Sequence, residues 1–264
     1  MLFKRIIVAA ILLPLLYAYI MYLPDCYFLM LMFVAAIICM EEFLLMYGIK
    51  GLPRHVFSVV GLIPLFMTYK YNEIPAYVFA AIFMGCVTLR LFDRKGPEGA
   101  LIDIAPFLTG LLYIPVSLSY FIKLRAIGPE IILFLMFVIW GADSAALYTG
   151  KAIGRRKLYE RVSPNKTVEG AIAALIGGAA SAVLLKIGFK IRMDYLTAIG
   201  IGIVLGIFGV IGDLIESMFK RERNIKDSGS FLPGHGGMLD KVDGMLISAP
   251  VLYYVILFIN KYYG

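Results

Sequence analysis

Residues Tyr195–Phe219 read YLTAIGIGIVLGIFGVIGDLIESMF. Apolar residues and glycine fill most of this run, and its two acids, Asp213 and Glu216, fall near its end. A helix that crosses the hydrocarbon core of a bilayer needs about 20 predominantly apolar residues. The run therefore predicts a transmembrane helix, and its small-xxx-small pair, Gly202 and Gly206, favours close packing against a neighbouring helix.

Eight further apolar runs have the same character. They are Ile6–Leu23, Cys26–Met46, Val56–Tyr69, Ile74–Leu91, Ile104–Ile122, Ile131–Tyr148, Gly170–Phe189 and Gly244–Asn260. Val56–Tyr69 is the shortest. Together the nine runs predict an all-α, polytopic integral membrane protein with about nine transmembrane helices.

The composition also indicates a membrane environment. Hydrophobic residues make up 61% of the 264 positions and charged residues only 16%, whereas soluble domains hold about 45–50% apolar residues. So few charges would not cover the surface of a soluble domain of this length. Cys26, Cys39 and Cys86 all lie in apolar runs without a Cys-x-x-Cys motif, so neither a disulfide framework nor a zinc site is expected.

Lysines and arginines predict the orientation. If Lys4 and Arg5 lie inside and the nine spans alternate, 18 of the 25 basic residues fall in inner segments. The positive-inside rule then predicts an N-in, C-out topology, whereas eight spans would place the C-terminus inside. The same rule accounts for the net charge of +7, so no nucleic-acid partner is expected.

Acidic and basic residues share one helical face at the end of the eighth run. Asp213, Glu216, Ser217 and Lys220 have offsets of 0, 3, 4 and 7, the spacing of a single face. Ionisable residues within a membrane are costly, and they usually face a cavity and mark a functional site. The alternative is a helix end that reaches the interface, with Lys220 extending to water.

Three aspartates are candidates for a metal site. Asp240 and Asp243 lie three residues apart, after a glycine-rich loop. A hard cation such as Mg²⁺ binds one or two carboxylates together with substrate phosphates, and Asp213 would complete such a set. The alternative for Asp240 and Asp243 is a capping role in the first turn of the last helix, where the helix dipole favours acids.

Basic residues are interleaved with these acids, as in sites where bases hold phosphate oxygens and carboxylates hold a metal. The bases are Lys220, Arg221, Arg223, Lys226 and Lys241. The alternative is that they only set the orientation of the chain in the membrane. His235, within Pro-Gly-His-Gly-Gly, is either incidental or a group that donates to phosphate or transfers a proton.

Another inner loop contains the string SPNKTVEG before the seventh run. Ser163 or Thr167 could cap the following helix, with Glu169 in its first turn, and this capping role is compatible with a ligand role for Lys166 and Glu169. Asp143, late in the sixth run, is either a packing residue near the interface or a carboxylate of the same cavity.

The stretch Ser217–Asp243 reads SMFKRERNIKDSGSFLPGHGGMLDKVD. It closely resembles the signature of the phosphatidate cytidylyltransferases, also called CDP-diacylglycerol synthases. SPNKTVEG and the stretch from Asp143 to Gly154 resemble the same family. One departure is Lys241, where the family usually has Arg, so the charge is kept but the planar fork is lost.

The resemblance implies a reaction, a cofactor and a setting. CTP and phosphatidic acid would give CDP-diacylglycerol and pyrophosphate, with Mg²⁺ required and a second cation able to accompany it. The family implies a homodimer, surrounded by membrane lipids in the inner (plasma) membrane of the cell, with a cytoplasmic active site. We expect one membrane-embedded catalytic domain over residues 1–264, in which 1–125 is mainly scaffold and 126–264 carries the active site.

The resemblance also implies roles for residues by position. The expected metal ligands are Asp213, Asp240 and Asp243. The expected catalytic set is Asp213, Lys220, Arg221, Asp240 and Asp243. The expected substrate-binding residues are Asp143, Lys166, Glu169, Ser217, Lys226, Asp227, His235 and Lys241.

Two other functions are alternatives. A CTP-dependent polyprenol kinase would transfer the γ-phosphoryl group and release CDP, so its products differ. A secondary transporter or cation channel would tend to show inverted repeats and sites at the membrane midplane. Here the polar residues crowd one side of the membrane and no repeat is evident, which disfavours transport.

Overall fold

The structure is a computed structural model that describes residues 13–93, 96–229 and 236–263. In chain order its helices and strands are α1 (Leu13–Tyr22), α2 (Asp25–Met46), α3 (Leu52–Val60), α4 (Leu62–Tyr71), α5 (Ala76–Leu91), α6 (Ala100–Leu111), α7 (Ser117–Ile127), α8 (Pro129–Ile153), β1 (Lys157–Tyr159), β2 (Ser163–Thr167), α9 (Val168–Gly188), α10 (Tyr195–Glu222) and α11 (Leu239–Tyr263). A π-helical turn at Leu112–Val116, which contains Pro115, joins α6 to α7.

The predicted all-helical, polytopic architecture is confirmed. Within the described ranges, seven helical segments are long and apolar enough to cross a membrane, namely Asp25–Met46, Leu52–Tyr71, Ala100–Ile127, Pro129–Ile153, Val168–Gly188, Tyr195–Glu222 and Leu239–Lys261. The two remaining predicted runs coincide with shorter apolar helices, α1 and α5.

The two short helices explain the difference between nine predicted runs and seven long segments. Helix α5 has 16 residues, so it is about 24 Å long and falls short of the ~30 Å hydrocarbon core. The predicted run Ile6–Leu23 begins outside the described residues. The N-in, C-out orientation stays a prediction.

Large apolar side chains cover the outside of the bundle. Leu101 is 82% exposed, Phe92 81% and Leu196 79%. A water-soluble protein rarely exposes extended apolar surface of this kind. The bundle therefore has its outer surface suited to lipid, while side chains such as Phe43 and Leu135 fill a core between the helices.

Helix α9 packs closely against α10 through small residues. A Cβ added at Gly202 would lie 2.5 Å from the carbonyl oxygen of Gly178, and one at Gly206 would lie 2.8 Å from that of Ala174. The two backbones therefore touch at positions where a side chain would not fit. The close packing predicted from Gly202 and Gly206 is confirmed.

A short antiparallel hairpin, β1–β2, lies between α8 and α9 and was not predicted. Lys157 pairs with Thr167, and Tyr159 pairs with Ser163. Thr167 then caps α9, since its Oγ1 accepts a hydrogen bond of 3.1 Å from the backbone N–H of Gly170. Of the two predicted caps, the structure uses Thr167.

Several chain segments meet at one end of the bundle. Helices α8 and α10 end there, α9 and α11 begin there, and the hairpin lies beside them. Helix α2 ends there too, because the Tyr47 hydroxyl donates to Glu222 Oε2 at 2.7 Å and Arg223 Nε donates to the Met46 carbonyl at 3.3 Å. Polar side chains near the ends of α2 and α10 therefore meet at this end of the bundle.

Candidate active site

A cavity of about 700 Å³ opens at this end of the bundle. Its walls come from α8, the hairpin, α9, α10 and α11. The lining residues are Asp143, Ala146, Leu147, Gly150, Lys151, Leu158, Ser163, Asn165, Lys166, Thr167, Gly170, Ala171, Val210, Asp213, Asp240 and Asp243. The predicted site residues Asp143, Lys166, Asp213, Asp240 and Asp243 are thus brought together in one place.

Three carboxylates form a group beside the cavity. Ligand atoms of Asp213, Glu216 and Asp243 all lie within 4.8 Å of one another. Asp213 and Glu216 share one face of α10, as the spacing predicts, and Asp243 reaches them from α11. Gly212 permits this approach, because a Cβ there would lie 2.6 Å from the Asp243 carbonyl oxygen.

Two lysines balance part of this negative charge. Lys166 Nζ lies 2.6 Å from Asp213 Oδ2, and Lys220 Nζ lies 2.5 Å from Glu216 Oε2. Ser217 Oγ donates to Asp213 Oδ1 at 3.3 Å. Glu216 is only 1% exposed, and its Oε1 has no hydrogen-bond partner among the described residues. Since an unpartnered buried carboxylate oxygen is costly, the group fits a hard cation that takes oxygen ligands.

Asp240 makes a different set of contacts. Its Oδ1 accepts from Lys220 Nζ at 2.7 Å, and its Oδ2 accepts from the backbone N–H groups of Ser228 at 3.1 Å and Gly237 at 2.8 Å. Asp240 lines the cavity but lies outside the group of three acids, where Glu216 takes the third place. The sequence places Glu216 on the acidic stripe without marking it as a ligand, and the choice of ligands stays a prediction.

The two basic residues expected in the catalytic set differ in surroundings. Lys220 is 8% exposed and lies between Glu216 and Asp240. Arg221 is exposed, and its Nε donates to the Val162 carbonyl at 3.2 Å, which fastens the hairpin to the end of α10. Neither residue is among those that line the described cavity.

Asp143 and Glu169, both predicted to bind substrate, have different surroundings in the structure. Asp143, on α8, lines the cavity. Glu169, in the first turn of α9, accepts from the backbone N–H groups of Arg155 at 3.1 Å and Arg156 at 3.3 Å. These bonds fasten the segment after α8 to the start of α9, and the substrate-binding role of Glu169 stays a prediction.

One acid near the site was not singled out by the sequence. Glu42, on α2, is 8% exposed and accepts hydrogen bonds from Ser228 Oγ, Met238 N and Leu239 N at 3.1, 2.9 and 2.9 Å. It belongs to the part of the chain expected to be mainly scaffold. The signal in the sequence is slight, an acid near the end of an apolar run.

Comparisons with known proteins agree with this arrangement. A sequence model described as the cytidylyltransferase family matches residues 3–259. The chain belongs to this family.

Curated relatives of this cytidylyltransferase are phosphatidate cytidylyltransferases from bacteria. The one from Bacillus subtilis (strain 168) is 39% identical over 158 residues, which cover 58% of this chain and 59% of that protein. The one from Staphylococcus haemolyticus (strain JCSC1435) is 32% identical over 224 residues, which cover 83% of this chain and 86% of that protein. The one from Staphylococcus aureus (strain COL) is 31% identical over 223 residues, covering 83% and 85%.

Four other predicted residues of the cytidylyltransferase signature receive no support from the cavity lining. Lys226, Asp227 and Lys241 are exposed and are not among the lining residues of the described cavity. Lys241 stands in the first turn of α11, next to Asp240. His235 lies outside the described residues. The substrate-binding roles of these four residues stay predictions.

Proposed function

We propose that this chain transfers the cytidylyl group of CTP to phosphatidic acid, which gives CDP-diacylglycerol and pyrophosphate. The proposal rests on the group of carboxylates and lysines beside one cavity at the ends of the spans. Membership of the cytidylyltransferase family and the likeness to phosphatidate cytidylyltransferases over 83% of the chain support CTP and phosphatidic acid as substrates. The chain is accordingly a nucleotidyltransferase of phospholipid biosynthesis.

The acids at the site suit Mg²⁺. Asp213, Glu216 and Asp243 would hold it, with Asp240 as the further ligand predicted from the sequence. When bound there, Mg²⁺ neutralises charge on the triphosphate oxygens. Asp143, which lines the same cavity, is a candidate ligand for a second cation.

The reaction does not need a strong general base, since the attacking phosphate oxygen of phosphatidic acid is already anionic. That oxygen forms a bond to the α-phosphorus of CTP, while the bond from this phosphorus to the bridging oxygen of the leaving pyrophosphate breaks. Alignment and charge neutralisation then supply most of the rate. The Lys166 side chain is 23% exposed at the cavity and is placed to meet phosphate oxygens. Lys220 holds Glu216 and Asp240 in place.

The membrane setting suits a lipid substrate. The headgroup of phosphatidic acid lies at the membrane surface, where the ends of the spans surround the cavity. We place the protein in the plasma membrane because its relatives are bacterial, with the site on the cytoplasmic side, where the positive-inside rule puts the basic loops. We also expect a homodimer, which light scattering of the purified protein would test.

A product assay tests the proposed reaction. Purified protein in detergent receives phosphatidic acid and CTP labelled at the α-phosphate, with and without Mg²⁺. We expect label in the lipid fraction and free pyrophosphate, both only with Mg²⁺. Transfer of the γ-phosphate of CTP to a polyprenol would instead identify the kinase, and solute flux into proteoliposomes without any lipid substrate would identify a transporter.

Two variants accompany the assay. Asp213→Asn and Asp243→Asn are expected to lose turnover while the protein stays folded, because each removes a charge from the group of three acids. Asp194→Asn is the control. Asp194 caps the opposite end of α10 by accepting from Thr197 N at 2.8 Å, and asparagine caps helices about equally well. Near-normal turnover in Asp213→Asn or Asp243→Asn would remove that residue from the site.

A further inference from the structure

Glu42 connects the N-terminal half of the chain to the site. It is 8% exposed, and its two carboxylate oxygens accept hydrogen bonds from Ser228 Oγ, Met238 N and Leu239 N. Among the described residues Glu42 forms no ion pair. Its described hydrogen bonds all go to the two ends of the stretch 228–239, which is called the segment below. Its charge faces backbone N–H groups at the start of α11, an arrangement that the helix dipole favours.

The backbone on both sides of the segment passes directly against the Glu42 carboxylate. A Cβ added at Gly229 would lie 2.7 Å from Glu42 Oε1, and one at Gly237 would lie 2.5 Å from Glu42 Oε2. A side chain at either position would therefore force the Glu42 carboxylate to shift. The carboxylate of Glu42 occupies the place where the chain leaves Ser228 and returns at Gly237.

The same segment is also held by an acid of the site. Asp240 accepts from the N–H groups of Ser228 and Gly237, and it immediately follows Leu239, whose N–H donates to Glu42. Two carboxylates thus hold the two ends of the segment: Glu42 from helix α2 and Asp240 from helix α11. One turn further along α11, Asp243 completes the group of three acids.

We propose that Glu42 is a positioning residue of the cytidylyl transfer. By holding Ser228, Met238 and Leu239 it sets the start of α11, and through it the places of Asp240 and Asp243 at the cavity. The inference rests on the proposed function for its effect on turnover, but the effect on the structure can be measured without any substrate.

The test compares Glu42→Gln with Glu41→Gln. Glu41 is the neighbouring acid on α2, and it pairs with Arg54 at 2.6 Å and His55 at 2.7 Å, away from the segment. Hydrogen exchange in metal-free buffer reports the amides of Met238 and Leu239. We expect Glu42→Gln to speed the exchange of at least one of these two amides about 10-fold, because the NH2 group that replaces one carboxylate oxygen cannot accept, while the remaining oxygen still can. Glu41→Gln should leave both exchange rates as in the wild type.

Kinetics separates positioning from a purely structural role. We expect Glu42→Gln to lower kcat about 100-fold per folded molecule, as misplacement of site groups by about 1 Å does, with a smaller change in KM for CTP. Glu41→Gln should keep the wild-type kcat. Wild-type exchange at Met238 and Leu239 in Glu42→Gln would overturn the proposal. So would a lowered melting temperature with unchanged kcat per folded molecule.

Two further measurements cover the cases in which Glu42→Gln does not fold or the wild type shows no activity. If Glu42→Gln does not fold, Ser228→Ala removes a single donor, and we expect a smaller change in the same direction in both readouts; wild-type values would overturn the proposal. If the wild type transfers no label to lipid, the proposed function fails. Faster exchange confined to this segment would still support the role of Glu42 in setting the start of α11.

Discussion

Lys166 Nζ lies 2.6 Å from Asp213 Oδ2, and this ion pair joins strand β2 to helix α10 at the wall of the cavity. The two side chains are 23% and 38% exposed, so solvent screens the pair and its contribution to stability is small. Because Asp213 belongs to the group of three acids and both side chains line the cavity, we expect the pair to matter for the reaction more than for the fold.

Replacing Lys166 by Met removes the charge and keeps much of the length. We expect Lys166→Met to lower kcat by about 10²–10³, because a fixed positive charge placed to meet the phosphate oxygens of the substrates is lost, with little change in the melting temperature. The measurement is the rate of label transfer to lipid. Arg161→Met, at an exposed position of the same hairpin, is the matched control. Equal rates in the two variants would place Lys166 outside the reaction.

Glu216 and Asp240 are alternatives for the third metal ligand, beside Asp213 and Asp243. If the group of three acids holds the cation, Glu216→Gln should raise the Mg²⁺ concentration for half-maximal activity at least about tenfold more than Asp240→Asn does. Asp240→Asn should mainly lower kcat, since Asp240 holds Lys220 and the backbone of Ser228 and Gly237. Calorimetric titration with Mg²⁺ alone checks the ranking, and the reverse order would favour the ligand set predicted from the sequence.

The helices were predictable because the length of an apolar run is a local property. The run Tyr195–Phe219 and the helix Tyr195–Glu222 begin at the same residue, and the acidic stripe of α10 follows from helical spacing alone. The β1–β2 hairpin was missed, since strands of three and five residues leave too short a pattern to detect.

The partners of the acids were not predictable, because they depend on segments far apart in the chain. Glu42 and Met238 are 196 positions apart, and no local pattern indicates that they meet. The spacing of Asp240 and Asp243 predicts a shared face, but only the packing of α11 on α10 shows that Asp243 joins Asp213 while Asp240 turns to Lys220.

Lys241 tests how closely the site follows its family. It is exposed in the first turn of α11, where the family signature usually has Arg. We expect Lys241→Arg to retain or raise kcat/KM for CTP, because the charge is kept and a bidentate grip on phosphate becomes possible. An inactive but folded Lys241→Arg variant would show that the loop before α11 differs in geometry from that of the family.

Helices α9 and α10 are in backbone contact, and two glycines two positions apart on α10 test how much this contact contributes to stability. A Cβ at Gly202 would lie 2.5 Å from the Gly178 carbonyl oxygen, whereas one at Gly200 meets nothing within 4 Å. We expect Gly202→Ala to destabilise the protein by about 1–3 kcal/mol, since the backbones must separate to admit the methyl group. Gly200→Ala should be neutral or slightly stabilising, because alanine favours the helix. Thermal unfolding in detergent checks the pair, and equal melting temperatures would contradict backbone contact at Gly202.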